Sequence, residues 1–168
     1  MTKKRWLVLA ALAAIAPCAA QAQQGVLTER TLSLDAAEQA ARAALERCRK
    51  DGYKVTVTVL NKSGRTKVVI HDDGAGPHTI ENSFRKAYTV ITGRDGESSG
   101  DYGRRIAKNP PPHPALHLQN ITTAEGALGI RAGKDLVGSI GVSGAPGGDK
   151  DAVCAQVGID HVAKMLGN

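Results

Sequence analysis

Aromatic residues are scarce in this 168-residue chain, which holds one Trp, one Phe and three Tyr. That supply is too thin for the rows of stacking platforms on which single-stranded nucleic acids are held. Long apolar runs are also missing: the main one, Trp6 to Ala16, is shorter than the ~20 residues that cross a bilayer, which excludes a multi-span membrane protein. Cysteine is rare, with three in the chain and no CxxC, so a zinc framework is not indicated. The glycine-rich stretch from Gly141 to Asp149 has neither the GxxxxGK[ST] order of a phosphate loop nor a GxSxG elbow around Ser143, and it is not a strand-GxGxxG-helix fingerprint. No repeat or low-complexity tract interrupts the chain. With 42% hydrophobic and 23% charged residues, it is too apolar for a disordered chain and the right length for one domain.

What is there begins with a processing signal. Lys3, Lys4 and Arg5 precede the apolar run, and Ala20-Gln21-Ala22 follows it before Gln23, the pattern of a secretory signal peptide over residues 1–22. Pro17 occupies the position before Cys18 where a lipoprotein signal has a small residue, so Cys18 is read as discarded with the leader. Cleavage removes three of the 22 basic residues and none of the 16 acidic ones, lowering the formal net charge from +6 to +3. The electrostatic case for a nucleic-acid partner goes with it. The expected location is periplasmic or secreted, with no stable membrane insertion after cleavage. In that oxidising setting Cys48 and Cys154 either form a disulfide closing a long loop or stay as two buried thiols; the compartment favours the bond.

Residues 23–30 read as a flexible leader and 31–168 as a single domain. Leu34 to Arg49 places Ala36, Ala37, Ala40, Ala41, Ala44, Leu45 and Cys48 at helical spacing, with Ser33 or Asp35 as cap. Val55, Val57 and Val59 alternate with threonines, and Asn61-Lys62-Ser63-Gly64 leads to a second strand, Thr66 to Ile70. Ile80 to Thr92 is periodic through Phe84, Ala87, Tyr88 and Ile91, with Thr79 and Asn82 at its start, and a short helix over Ser99 to Ala107 is stopped by prolines. Ala127 to Ile130 and Leu136 to Val142 form another strand pair, followed by a last helix that Asp149 or Asp151 caps. The expected class is α+β: an antiparallel sheet of four to five strands covered by helices, in the order α-β-β-α-(α)-β-β-(β)-α. Hairpins without regular βαβ alternation favour this over a doubly wound parallel sheet.

Three loops could carry chemistry. The first holds His71, Asp72, Asp73 and His78 before a helix start, a set able to bind a metal or perform acid-base work, or else to serve as a solvated hairpin exit with capping carboxylates. The second places His113 and His117 around Pro114, where a surface loop with exposed imidazoles is expected. The third runs from Gly141 through Gly148 to Asp149. It can cradle an acidic group, but nothing around Ser143 marks a nucleophile. His161, inside the last helix, reads as a packing or surface residue.

The run Val55 to Asn61 with Gly64, then Asp73-Gly74-Ala75-Gly76-Pro77-His78-Thr79, Lys86-Ala87-Tyr88-Thr89 and Val137 to Gly144 with Asp149, resembles the GlcG/HbpS family over residues 31–166. The exported variant with Gly-Pro-His-Thr is the nearest match. The resemblance implies an α/β domain with an antiparallel sheet that binds or degrades haem and assembles into homo-oligomers. It makes His71 and His78 the leading candidates for axial ligands of haem iron, and Arg85, Lys86 and Arg131 the candidate propionate partners. Where many members carry Arg-Met-Asp-Gly-Ala, this chain carries His71-Asp72-Asp73-Gly74-Ala75. The ligand implied is haem or a related tetrapyrrole, and CxxCH, the attachment signal for c-type haem, is absent. The first expectation is a haem-binding module for sequestration, relay or sensing. An accessory oligomeric subunit without a haem site ranks second, and a tetrapyrrole-degrading enzyme third, since no acid-base constellation is evident.

Overall fold

Ser33 opens the first helix by accepting a hydrogen bond from the N–H of Ala36 at 3.2 Å, and α1 runs from Leu34–Lys50. Its buried stripe of Ala36, Ala37, Ala40, Ala41, Ala44, Leu45 and Cys48 is made almost wholly of small residues, so another helix can come very close. That helix is α4, Gly148–Val162. A side chain at position 158 would put Cβ 2.5 Å from the carbonyl oxygen of Ala40, which is why glycine stands at this crossing. Cys48 and Cys154 join the two helices in a disulfide, with Cα atoms 5.6 Å apart.

The structure, a computed structural model, describes residues 25, 27–108 and 113–167; the expected signal peptide, with Cys18, lies outside them. The remaining elements are β1 (Thr56–Asn61), β2 (Thr66–His71), α2 (His78–Thr92), α3 (Ser99–Ala107), β3 (Ala127–Ala132) and β4 (Asp135–Ser143). The strands form one sheet in the order β2-β1-β4-β3, with every neighbouring pair antiparallel. This is the expected α+β architecture, with the lower of the two expected strand numbers among the described residues. The stretch before β3 had room for a fifth strand. It bonds instead to a helix side chain: Thr89 on α2 accepts from the N–H of Thr122 at 2.9 Å.

Strand alternation sorts side chains onto two faces. Val57, Val59, Ile130, Ile140 and Val142 pack with the alanine face of α1 and with Cys154 and Ala155 of α4 in the main core. Thr56 and Thr58 point the other way, to α2, where Thr58 bonds Ser83 at 2.8 Å and Thr56 bonds Thr79 at 2.6 Å. A smaller cluster of Tyr102, Ile106 and Ile121 sits under α3. Two helix starts differ from expectation. Neither α2 nor α4 has a side-chain cap, the preceding residues being Pro77 and Gly147. Of the expected cap groups, Thr79 bonds Thr56 and Asp151 bonds Lys86, and Asp149 makes no cap hydrogen bond.

Candidate functional site

Register brings one end of the sheet together: Thr56 of β1 stands opposite His71 of β2 and opposite Ser143 of β4. The first turn of α2 lies over this end. Its two flanks present different surfaces.

On the β2 flank, α2 carries Ile80, Phe84, Tyr88 and Ile91 at helical spacing, and Tyr88 and Ile91 approach Gly64 in the β1–β2 hairpin. Phe84 and Tyr88 stack with ring centroids 5.6 Å apart. Val69, opposite Thr58, shares the α2 side of the sheet with His71, yet α2 lies over β1, β4 and β3 and leaves this strand open. Val69 is 46% exposed and Ile80 45%. The result is an apolar shelf, with the α2 stripe from Ile80 to Tyr88 rising about 12 Å along the helix and the His71 imidazole at one end. Thr56 holds that ring through Nδ1 at 2.7 Å.

On the other flank is a cleft of about 390 Å³ lined by His78, Asn82, Glu125 and Ser143 over a buried ion pair, Lys86 and Asp151. The Lys86 ammonium is 2.7 Å from an Asp151 oxygen, and both side chains are 4% exposed; Lys86 also donates to the Val142 carbonyl at 2.9 Å. Burial pushes the Asp151 carboxyl above the ordinary carboxylate range, opposed by the Lys86 charge and by hydrogen bonds from Lys86 and from the N–H groups of Ala145 and Gly144. The chain reaches the pair only because residue 126 is glycine: its φ is +129°, and a Cβ there would lie 2.7 Å from Cβ of Asp151 and 2.8 Å from Nζ of Lys86. Asn82 donates to Ser143 at 2.9 Å across the rim.

The loop after His71 is fixed from below. Arg49, at the end of α1, forks onto Asp72, Nη2 donating to Oδ1 at 2.7 Å and Nε to Oδ2 at 3.2 Å, a bidentate pairing. The Asp72 side chain is 7% exposed. The hydrogen bond from Arg49 holds its carboxyl below the ordinary value of 3.8, against the opposing effect of burial. A depressed carboxylate contributes stability above its unfolded value and loses it as pH falls through the folded value. Asp72→Asn is therefore expected to lower Tm at neutral pH, with the gap to the parent chain closing as pH is taken below 3.8. Thermal melts across that range check it; a gap that stays constant with pH would refute the assignment.

The residues singled out from the sequence are thus separated. His71 and His78 share one end of the sheet on opposite flanks of α2. His78 folds over Gly76, where a Cβ would lie 2.7 Å from its ring, and it lines the cleft. Arg85 bonds the Ile121 carbonyl at 2.8 Å and faces Glu81 at 3.6 Å. Lys86 is engaged with Asp151. Arg131 stands at the other end of the sheet, opposite Leu136, bonded to the carbonyls of Lys134 and Asp95. Asp72 is spent on Arg49, and among the described residues no group of three or more His, Cys, Asp or Glu gathers to hold a metal. His113 is half-buried, its Nδ1 accepting from the N–H of Ala115 at 3.2 Å, rather than exposed as expected; His117 is exposed. Thr56, Thr79 and the Lys86–Asp151 pairing escaped the sequence reading. Alternation in the first strand was the available signal, since its threonines fall on one face.

An antiparallel sheet with two helices on one face, one on the other, and a histidine beside an open apolar shelf defines a small α+β domain. The family model described as haem degrading protein HbpS-like matches residues 32–160, and the chain belongs to that family. The crystal structure of HbpS is 36% identical, covering 83% of this chain and 96% of that one with a TM-score of 0.74. A double mutant of HbpS from Streptomyces reticuli is 35% identical over 88% of this chain and 97% of that one, at a TM-score of 0.74. A PduOC structure solved as a complex with haem shares the fold at 23% identity and a TM-score of 0.70, covering 78% of this chain and 94% of that one. No curated protein matches. Among the described residues no helix is long and apolar enough to cross a membrane.

Proposed function

We propose that this chain is a periplasmic haem-binding protein that sequesters, relays or senses haem on the shelf between β2 and α2, with His71 as the axial ligand. One observation carries the reading: an imidazole anchored by Thr56 stands at the end of uncovered apolar surface, Val69 and Ile80. That pairing of a flat apolar rest with a nitrogen ligand is what haem requires. Haem would supply a redox-active iron there. The protein's own groups hold and orient it. Ile80, Phe84 and Val69 would give it apolar contact and exclude water, and Thr56 keeps the ring of His71 in place. His78 and Arg85 flank the same helix as candidate partners for iron and propionates. Lys86 and Arg131, the other candidates, stand respectively beneath the cleft and at the far sheet end.

Binding is favoured over turnover because Asp72, next to His71, is committed to Arg49, and Lys86, on the other flank of α2, to Asp151. The leader at residues 1–22 and the disulfide support export. Assembly into a homo-oligomer belongs to the same reading, supported by the edge positions of β2 and β3 in the sheet that the described residues form.

Titrating the mature chain with hemin is expected to give a Soret band saturating near equimolar ratio. His71→Ala should weaken binding by roughly 10–100-fold, the scale on which supporting residues alone affect a metal site, and His78→Ala should weaken it less. No spectral change at equimolar hemin would overturn the proposal. Loss of the band with release of iron under reductant, in the presence of catalase, would make the protein an enzyme instead.

A further inference from the structure

The hydroxyl chain behind His71 determines which of its ring nitrogens can bind iron, an inference that rests on the proposed haem site for its consequence but not for its geometry. Thr79 Oγ1 lies 2.6 Å from the Gly76 carbonyl. A carbonyl only accepts, so the single hydroxyl proton of Thr79 is spent there. Thr56 Oγ1 lies 2.6 Å from Thr79 Oγ1; with Thr79 already donating elsewhere, Thr56 must donate to it. That spends the only proton of Thr56. The remaining contact, 2.7 Å between Thr56 Oγ1 and His71 Nδ1, can be a hydrogen bond only if Nδ1 carries the proton.

Both threonines are enclosed, Thr56 at 0% and Thr79 at 1% exposure, so water does not offer the hydroxyls other partners. His71 itself is exposed at the strand end. We propose that Thr79 and Thr56 act as positioning residues that lock neutral His71 in the Nδ1–H tautomer, leaving the Nε2 lone pair as the one ring site able to bind a Lewis acid such as haem iron. This is the arrangement in which a hydrogen bond on one nitrogen sets the ligand atom and orientation of the other.

The test uses the mature chain labelled with 15N and free of haem, at about pH 8, above the ordinary histidine value near 6.5. Two-bond proton–nitrogen correlation spectra distinguish the tautomers, and the His71 pattern is identified by its loss in His71→Ala. The Nδ1–H pattern is expected in the parent chain and in Thr56→Ser, which keeps the hydroxyl. Thr56→Val should shift His71 toward Nε2–H. So should Thr79→Val, which does not touch the ring but frees the Thr56 proton to turn toward Nδ1; a merely structural role for Thr56 would not produce that effect. Circular dichroism confirms that each variant is folded, and either threonine variant alone suffices if the other fails to fold. In parallel hemin titrations, Thr56→Val and Thr79→Val should each weaken binding by roughly 10-fold or more, and Thr56→Ser should restore it. An Nε2–H pattern in the parent chain, or an unchanged pattern in both valine variants, overturns the inference. Absence of hemin binding with the Nδ1–H pattern intact overturns the haem reading and leaves the tautomer assignment standing.

Discussion

Replacing both Cys48 and Cys154 with alanine is expected to cost ~4–5 kcal/mol of unfolding free energy, since their bond closes a loop across a sequence separation of 106, and the chain-entropy model assigns that much to a loop of about 100 residues. For a domain of this size the loss corresponds to a fall in Tm on the order of 10–15 °C. The expectation rests on where the bond sits as well as on loop length. Both cysteines are fully buried, and the bond joins α1 to α4, two helices already held at contact distance by Ala40 and Gly158. Alanine at both positions fits a seam built of alanines, so the folded state should survive while the unfolded chain regains its freedom. Thermal and denaturant unfolding of the mature chain, with and without reductant, measures this. The double variant should match the reduced parent chain. Equal stability of oxidised and reduced protein would contradict it.

Lys86→Met is expected to cost ~3–5 kcal/mol at neutral pH, the range for removing one partner of a buried ion pair. Methionine replaces the length of the lysine stem but leaves the Asp151 carboxylate enclosed with only the N–H groups of Ala145 and Gly144 beside it. The pH dependence gives the diagnostic sign. Burial already raises the Asp151 carboxyl above 3.8, and loss of the ammonium removes the opposing effect. A carboxyl whose folded value exceeds its unfolded one binds more protons when folded, so stability falls as pH rises through that interval. The penalty of Lys86→Met should therefore be largest near neutrality and shrink as pH approaches 3.8. Pairing it with Asp151→Leu should recover much of the loss, because two apolar groups in place of a buried pair leave no orphaned charge. Urea titrations of the four chains at several pH values form the double-mutant cycle. A single-variant penalty independent of pH would show that lost packing, and not the stranded carboxylate, dominates.

The contrast between Lys86 and His71 shows how far a linear reading reaches. Both sit in stretches marked by family resemblance, and from the sequence both looked available to a ligand. Lys86 falls on the α2 flank facing β4, where Asp151 comes from the opposite end of the chain to neutralise it. His71 falls on an edge strand that α2 does not cover, so its ring stays open. Arg131 makes the same point differently: one strand pairing places it at the sheet end opposite His71. Asp151 read as a helix cap because a carboxylate in the first turn of a helix normally serves there. The structure turns it to Lys86 and to the Gly144–Ala145 backbone instead.

The sequence by itself determined the elements, the face each one buries and the family. Those depend on local signals: the alanine stripe of α1, the valine–threonine alternation of β1, and the serine cap and turn glycines between them. Only the tertiary structure decided which polar groups meet. His71, Thr56 and Thr79 lie on two strands and a helix, and their hydrogen-bond chain exists because the β1–β2 register sets Thr56 opposite His71 while α2 crosses above. A one-residue slip in that register would turn His71 to the other face of the sheet, and nothing in the composition of the loop would record the difference.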